Sequence, residues 1–297
     1  NVNLTATKEW VDGDGERRDE IQAELARLKD EKRVDLSLNL KLVFADNIDS
    51  SGYEIYYEEN TVSIGNRDDQ VQIMQPVIRD DGLTEEDETK PGSAIVKVDL
   101  EKDSFTCYFW NLPKYDQHSS VVRYSVEEVW LDGDGKEVPL EEMKTDYPEL
   151  YALVAEYSVS YEETFVTSDK HDVDDQTVTV TNKLTGFKEV RWHKQWNDMY
   201  NNENGRRPDI YLDIYAVKHE KTEGTELPTE KTELYLANYK WEYSAYADDT
   251  ENNLDGRYDK ERHWHAVLSG LPKYDDYGYE IIYYAVEHTL VNATDFD

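Results

Sequence analysis

The sequence predicts an all-β protein built from two tandem β-sandwich domains. Stretches with an apolar residue at every second position recur along the chain, as expected for strands with one buried face. They are rich in β-branched and aromatic residues, and Asp-Gly-Asp-Gly turns occur at residues 12–15 and 132–135. The third observation is an internal repeat, because Leu-Pro-Lys-Tyr-Asp at residues 112–116 recurs at residues 271–275, an offset of 159.

The repeat divides the chain into a first domain at residues 1–185 and a second domain at residues 186–297. Tyr-x-Val-x-Glu at residues 124–128 corresponds to Tyr-x-Ala-x-Glu at 283–287, and a Lys-x-Trp near the start of each copy matches as well. The distance along the sequence from that lysine to the Leu-Pro-Lys-Tyr-Asp motif is 104 residues in the first copy and 77 in the second. The first domain therefore carries an insertion of 27 residues, predicted to lie within about residues 30–100.

Two segments between the predicted strands suggest helices. In residues 20–33, Ile21, Leu25 and Leu28 have helical spacing among good helix formers. Yet the repeat aligns this segment with residues 209–214, which alternate as a strand. The repeat takes precedence, so the segment is predicted to be a strand. A short helix is predicted at residues 140–143, within the stretch that separates Glu128 from the last strand of the first domain.

Three polar residues occupy positions where the alternation predicts apolar side chains. Lys8 shares a strand face with Leu4, Ala6 and Trp10, and Asn182 is in register with Val178, Val180 and Leu184. Glu128 is the polar member of a face formed by Val122, Tyr124, Val126 and Trp130. One amine, one carboxyl and one carboxamide are thus predicted to point into the same core.

Such a trio suggests a reaction that the chain performs on itself. Buried lysines can fall to a pKa of about 5–6 and buried glutamic acids can rise to about 8–9, so both groups tend to be neutral. An uncharged Lys8 amine could attack the Asn182 carboxamide while a protonated Glu128 polarises the carbonyl and relays protons, with loss of ammonia. Two plainer interpretations stay open, namely a buried Lys–Glu ion pair partnered by the asparagine, or strand-end residues that reach water.

The motifs together resemble the Cna-B type domain, an Ig-like β-sandwich repeated along the stalks of Gram-positive surface adhesins and pilins. They are the Lys-x-Trp first strand, Arg-Arg-Pro-Asp at residues 206–209, the Leu-Pro-Lys-Tyr-Asp turn, Tyr-x-Val-x-Glu and a closing Thr-Val-Thr-Asn at residues 179–182. The resemblance implies an intramolecular isopeptide bond between Lys8 and Asn182, assisted by Glu128.

The second domain matches the family only in part. Lys194 and Glu287 are the equivalents of the lysine and the glutamate, but no closing Thr-Val-Thr-Asn strand follows, and Asn292 is too close to Glu287 to replace it without a tight loop. The chain also lacks an initiator Met, a signal peptide and a sorting motif, so it is interpreted as an internal fragment of a longer protein.

These inferences lead to two alternative functions. In the first, the chain is a structural stalk of an extracellular, cell-wall-anchored protein, and its partners are neighbouring repeats of the same polypeptide. In the second, the first domain is an adhesin module that binds a host matrix protein or a glycan through the insertion, where Tyr53, Tyr56 and Tyr57 lie. Tyrosines packed along the faces of a sandwich are the plainer interpretation of that cluster.

Composition and motifs argue against several other functions. A net charge of −34 disfavours nucleic acid and anionic membranes as partners, and no apolar run is long enough to span a bilayer. The single Cys107 excludes an internal disulfide and is predicted to be a buried small hydrophobe. The Asp-Gly-Asp-Gly stretches do not fit a calcium loop and are predicted to be hairpin turns. His263 and His265 lack a third ligand in register, so no metal or cofactor is predicted. Apart from one self-cross-linking event, no enzymatic turnover is indicated.

Overall fold

The computed structural model describes residues 2–45, 55–58, 61–64, 70–72, 94–115, 119–166, 174–195, 210–221, 228, 230–240 and 263–289. Within these ranges the chain is mostly β and forms several sheets with few helices, so the predicted all-β class is confirmed. The strands are β1 (Val2–Val11), β2 (Ser37–Phe44), β3 (Ile55–Glu58), β4 (Thr61–Ile64), β5 (Gln70–Gln72), β6 (Ile95–Lys97), β7 (Ser104–Leu112), β8 (Tyr124–Leu131), β9 (Tyr157–Val166), β10 (Asp174–Leu184), β11 (Phe187–Gln195), β12 (Ile210–Glu220), β13 (Glu230–Lys240), β14 (His263–Pro272) and β15 (Ile282–Thr289).

The chain divides by its internal contacts into two compact units, Asn1–Leu184 and Thr185–Asp297. In the first unit, one sheet has the strand order β7-β1-β10-β9 and another has the order β6-β2-β8. β1 and β10 run parallel, whereas β7 and β9 pair antiparallel to them, so the first and last described strands of the unit lie side by side. A single cluster of buried apolar residues joins the two sheets, with members from β1, β2, β7, β8 and β10.

Residues 16–32 are helical, so the predicted strand over residues 20–33 is wrong. α1 (Glu16–Arg27) continues into a π-helical turn at Leu28–Lys32. Ile21 and Leu28 are buried in the main core and Leu25 packs against it. The helical spacing of these three residues therefore decides the structure, because it places all of them on the one face that meets the sheets.

The strand pairings show why the repeat was misaligned at this point. Leu40 of β2 lies opposite Glu128, and Leu212 of β12 lies opposite Glu287. β2 and not α1 is therefore the equivalent of β12. The helix is extra structure between the first and second strands of the first unit.

This correspondence also divides the insertion into two parts. Leu40 lies 32 residues after Lys8, whereas Leu212 lies 18 residues after Lys194, which assigns 14 of the 27 extra residues to the segment that contains α1. The other 13 lie between β2 and β7. The predicted location within about residues 30–100 therefore fits only the second part. That part includes the small sheet β3-β4-β5, and most of residues 46–93, Tyr53 among them, lie outside the described residues.

The repeat is visible as a shared hydrogen bond at the Leu-Pro turn. The Tyr124 hydroxyl donates to the Pro113 carbonyl at 2.8 Å, and the Tyr283 hydroxyl donates to the Pro272 carbonyl at 2.8 Å. Each residue of the second pair follows its counterpart in the first pair by 159 residues, which is the offset of the repeat. In each unit this bond fixes the start of the glutamate-bearing strand against the turn before it.

The two Asp-Gly-Asp-Gly stretches have different roles. Residues 132–135 form a tight reversal after β8, closed by the Asp132 amide donating to the Lys136 carbonyl at 2.9 Å. Residues 12–15 instead connect β1 to α1, so the predicted hairpin at this position is wrong. Gly15 has φ 82° at the N-terminal boundary of the helix, a left-handed conformation that favours glycine.

The predicted helix near residue 140 is confirmed and is followed by a second one. They are α2 (Leu140–Asp146) and α3 (Pro148–Val154), and both lie between β8 and β9. Met143 and Leu150 anchor them in the core of the first unit. Among the described residues, no helix is long and apolar enough to cross a membrane.

The second unit repeats part of this arrangement. Its described strands form a pair, β11-β14, and a three-stranded sheet, β13-β12-β15. Ile210, Leu212 and Ile214 of β12 form a small buried cluster, against which Trp192 and Leu268 of the other pair are packed. On β12, the sequence alternation corresponds to an alternation of buried and partly buried positions.

Candidate functional site

Lys8 and Asn182 lie on neighbouring parallel strands and face the core of the first unit. In the β1–β10 register, Lys8 is opposite Val180 and Trp10 is opposite Asn182. The side chains of Lys8 and Asn182 therefore emerge on the same face of the sheet, two positions apart. Their exposed fractions are 0 % and 3 %.

Glu128 approaches them from β8 in the facing sheet. Its Oε2 lies 3.3 Å from the Lys8 Nζ, and its Oε1 accepts a hydrogen bond of 3.1 Å from the Asn182 Nδ2. The Glu128 side chain is only 8 % exposed. The structure thus brings together the three residues that the sequence singled out, with one carboxylate in contact with both the amine and the amide.

The surroundings of the Lys8 amine are poor in solvent. The Nζ lies 4.2 Å from the centroid of the Trp10 ring and is within 3.4 and 3.5 Å of the Glu9 and Val180 carbonyl oxygens. Burial lowers the pKa of Lys8 from 10.5 to about 8, although the Glu128 charge opposes that change. The neutral, nucleophilic form of the amine is therefore easier to reach near neutral pH than it is for a lysine in water.

Two polar atoms beside the carboxylate have no hydrogen-bond partner among the described residues. They are the Asn182 Oδ1 and the Trp10 Nε1, and both are buried. A buried amide oxygen without a donor raises the free energy of the folded, unlinked protein. The same oxygen would carry the negative charge of a tetrahedral intermediate if an amine added to the amide carbon.

The Glu128 contact differs in one respect from the arrangement inferred from sequence. There, the carboxyl was expected to hydrogen-bond the carbonyl oxygen of Asn182, whereas the structure places it on the amide nitrogen. This nitrogen is the leaving group of the inferred reaction. Glu128 is therefore positioned to pass a proton from the attacking nitrogen to the departing one.

A search of protein-family models, of curated proteins and of solved structures finds no match to this chain.

In the second unit, Lys194 and Glu287 are also brought together. The Lys194 Nζ lies 2.8 Å from the Glu287 Oε1, on β11 and β15. Their side chains are 23 % and 37 % exposed, so this pair is far more open to solvent than Lys8 and Glu128. Among the described residues of this unit, β11 pairs with β14 and no strand occupies the place that β10 takes beside β1. Asn292 lies outside the described residues.

A polar cluster next to the site was missed by sequence reasoning. The Arg18 Nε donates to the Asp12 Oδ2 at 2.8 Å, and the Tyr157 hydroxyl donates to the same oxygen at 3.0 Å. Tyr157 also packs edge-on against Trp10, with 5.2 Å between ring centroids. In the sequence, the Arg-Arg pair at residues 17–18 only matches the pair at residues 206–207, and the burial of Arg18 becomes evident only from the folded helix.

Metal binding receives no support from the described side chains. No group of three or more His, Cys, Asp and Glu residues is placed among them to hold a metal ion. His263 and His265 lie two positions apart on β14, opposite Gln195 and His193 of β11. The prediction for Cys107 is confirmed, because it is fully buried in the core, and burial raises the pKa of its thiol to about 12.

Proposed function

We propose that this chain is part of the structural stalk of a Gram-positive surface adhesin or pilin, made of Cna-B type β-sandwiches. Its first unit links itself through an amide bond between Lys8 and Asn182. The observation that carries the proposal is the single Glu128 carboxylate that contacts the Lys8 amine with one oxygen and the Asn182 amide nitrogen with the other.

The reaction follows from these contacts. Glu128 takes a proton from Lys8 through Oε2, and the neutral Nζ attacks the Cγ atom of Asn182. A second proton leaves the attacking nitrogen as the intermediate collapses, and Glu128 delivers a proton to Nδ2 through Oε1. The C–Nδ2 bond breaks and ammonia departs. Of the two protons lost by the ammonium, one is in the ammonia, and the other stays on Glu128 or leaves with the ammonia as ammonium.

The position of the bond suits a protein under tension. The chain enters the first unit through β1 and leaves it through β10, and these two strands are parallel neighbours. Tension therefore enters and leaves at opposite ends of the strand pair. A bond from Lys8 to Asn182 would carry the force directly from one strand to the other. The residues between the two positions, including the helices and most of the core, would be shielded from extension.

The test is the intact mass of the purified protein. The linked chain is expected to be lighter than its sequence by one molecule of ammonia, and a tryptic digest should contain a branched peptide joining Lys8 to Asn182. Asn182→Ala, which removes the electrophile, is the matched control and should have its full mass. A wild-type protein of full sequence mass would exclude the cross-link.

A further inference from the structure

A cavity of about 460 Å³ lies beside the cross-linking site of the first unit. Glu128 and Asn182 contribute to its wall, together with the aromatic side chains of Trp10, Trp130 and Tyr157. Residues at its rim are exposed to solvent, among them Tyr161 at 45 %. The cavity therefore connects the amide of Asn182 with the surface of the unit.

The wall of the cavity includes Asn182 and Trp10, whose unpartnered polar atoms are themselves buried. The electrophilic amide of Asn182 and the Glu128 carboxylate thus belong to residues of one wall. The volume is many times the share of about 30 Å³ that one water molecule takes in the liquid. The cavity is therefore large enough to hold ammonia or a small primary amine beside these residues.

We propose that this cavity is the exit for ammonia and that it admits small primary amines, so that the site exchanges the Asn182 amide nitrogen for an external amine when Lys8 does not react. This inference rests on the proposed self-cross-linking. It goes further by assigning the site a second, intermolecular reaction and a substrate class, unhindered primary amines.

The exchange uses the same proton path as the internal reaction. The external amine attacks the Cγ atom of Asn182, Glu128 moves one proton from the attacking nitrogen to Nδ2, and ammonia leaves through the cavity. One C–N bond forms and one breaks, so the products are an N-alkyl asparagine and ammonia. The aromatic wall favours the amine in either protonation state, since aromatic faces attract ammonium groups and also pack against alkyl groups.

Lys8 normally prevents this reaction by occupying the position of the nucleophile. Its side chain is fully buried, with the Nζ 4.2 Å from the centroid of the Trp10 ring that lines the cavity. Shortening Lys8 to alanine removes the internal nucleophile and leaves space beside that ring. An external amine can then reach the position that the Nζ leaves.

The experiment incubates the full-length Lys8→Ala variant with methylamine and follows the peptide that contains Asn182 by mass spectrometry. The expected product is a gain of one methylene group at Asn182. It should form at least tenfold faster than in the matched Lys8→Ala, Glu128→Gln double variant. tert-Butylamine, whose nitrogen is on a fully substituted carbon and is too hindered to attack an amide, should give no product. In the wild type the same treatment should leave the cross-linked peptide unchanged.

Three results separate this inference from the proposed function. A wild type that is lighter by one ammonia, with no adduct on a natively folded Lys8→Ala variant, would overturn the exchange and leave the cross-link standing. A wild type of full mass would overturn both. Equal labelling in the double variant would show that the adduct does not arise from the site, which also overturns the exchange.

If Lys8→Ala does not fold, the wild type provides the same answer. Wild-type chains are recovered unfolded from inclusion bodies and shown by intact mass to be still unlinked. They are then folded by dilution from denaturant with and without methylamine, so that Lys8 and the external amine compete for Asn182. The inference expects a fraction of chains that have a free Lys8 and an N-methylated Asn182, and this fraction should grow with the methylamine concentration. Complete cross-linking at every concentration would contradict it.

Discussion

The Glu128 carboxylate has two separable roles, because it both relays protons and neutralises a buried ammonium. Oε2 faces the Lys8 Nζ at 3.3 Å and Oε1 receives the Asn182 Nδ2 at 3.1 Å. A substitution that removes both oxygens stops proton transfer and leaves an amine without its counter-charge in a site that water barely reaches. The chemical and the energetic effects should therefore appear in the same variant.

For Glu128→Ala we expect the full sequence mass, because Lys8 and Asn182 remain unlinked. Compared with the unlinked Asn182→Ala protein, in which Lys8 keeps its counter-charge, Glu128→Ala should also be less stable by about 3–5 kcal/mol, because a buried ion pair is broken. Intact mass spectrometry and urea denaturation measure the two effects. The matched control is Glu127→Ala on the same strand, whose side chain is 44 % exposed, and it should keep the cross-linked mass. A cross-linked Glu128→Ala protein would exclude the relay.

The lowered pKa of Lys8 leads to a specific pH dependence of the linking rate. Below its pKa of about 8, Lys8 and Glu128 together hold the proton that the leaving group needs. Moving that proton from Nζ to Glu128 creates the neutral amine without exchange with solvent. The rate should therefore be nearly constant between about pH 6 and 8, and fall about tenfold per unit above that, as the pair loses its proton.

This profile is measured on chains that are recovered unfolded from inclusion bodies, shown by intact mass to be unlinked, and then diluted from denaturant into buffers of different pH. The linked fraction is followed by mass spectrometry, and folding is followed in parallel by tryptophan fluorescence, so that slow folding is not mistaken for slow chemistry. A rate that rises tenfold per unit up to pH 8 and then levels off would show that solvent, and not Glu128, removes the proton from Lys8.

At the scale of elements, a buried arginine adds a polar anchor for α1 to the apolar contacts of Ile21 and Leu28. The Arg18 side chain is 5 % exposed and contacts Asp12, the Lys102 carbonyl and Asp103. Its neighbour Arg17 is 23 % exposed and forms ion pairs with surface glutamates. The two adjacent arginines thus provide a direct comparison between a buried and a surface interaction.

Arg18→Ala should cost about 3–5 kcal/mol of unfolding free energy, since Asp12 would remain buried without its cationic partner. Arg17→Ala should cost less than about 1 kcal/mol, as is typical of exposed ion pairs. Both values come from urea denaturation. Neither variant should lose the cross-link, because Lys8, Glu128 and Asn182 lie on the strands, and the intact mass checks this. Equal costs for the two arginines would contradict the proposed anchoring of α1.

For the whole molecule, the cross-link would make one unit differ from the other. A bond between Lys8 and Asn182 closes a loop over nearly all of Asn1–Leu184, whereas in the described part of the second unit no strand takes the place beside β11 that β10 takes beside β1. By analogy with disulfide loops, closure stabilises the first unit by about 5 kcal/mol through the smaller entropy of its unfolded state. The second unit should lack this contribution.

Calorimetry of Asn182→Ala tests the difference. The transition of the first unit should move to lower temperature, in line with a loss of about 5 kcal/mol, while that of the second unit should stay in place. Glu287→Ala is the control, because it should change neither the intact mass nor the transition of the first unit. A first-unit transition that is unaffected by Asn182→Ala would argue that the bond does not form.

Alternation alone predicted the strand faces and the inward direction of the three site residues. Lys8, Glu128 and Asn182 each stand in a strand whose other inward positions are apolar, and a period of two determines which face each side chain takes. The all-β class, the helix near residue 140 and the burial of Cys107 could be predicted for the same reason, namely that they depend on local pattern and composition. The repeat located the equivalent pair, Lys194 and Glu287.

Contacts between distant segments were decided only by the tertiary structure. Sequence spacing could not show that β1 and β10 are parallel neighbours, or which oxygen of Glu128 meets which nitrogen, because those depend on how two sheets pack. The repeat alignment was wrong at α1, because it matched a helix that has its own apolar face to the strand that begins near residue 210. The cavity beside Asn182 was equally invisible, since its wall is formed by residues from separate parts of the chain that only the folded unit brings together.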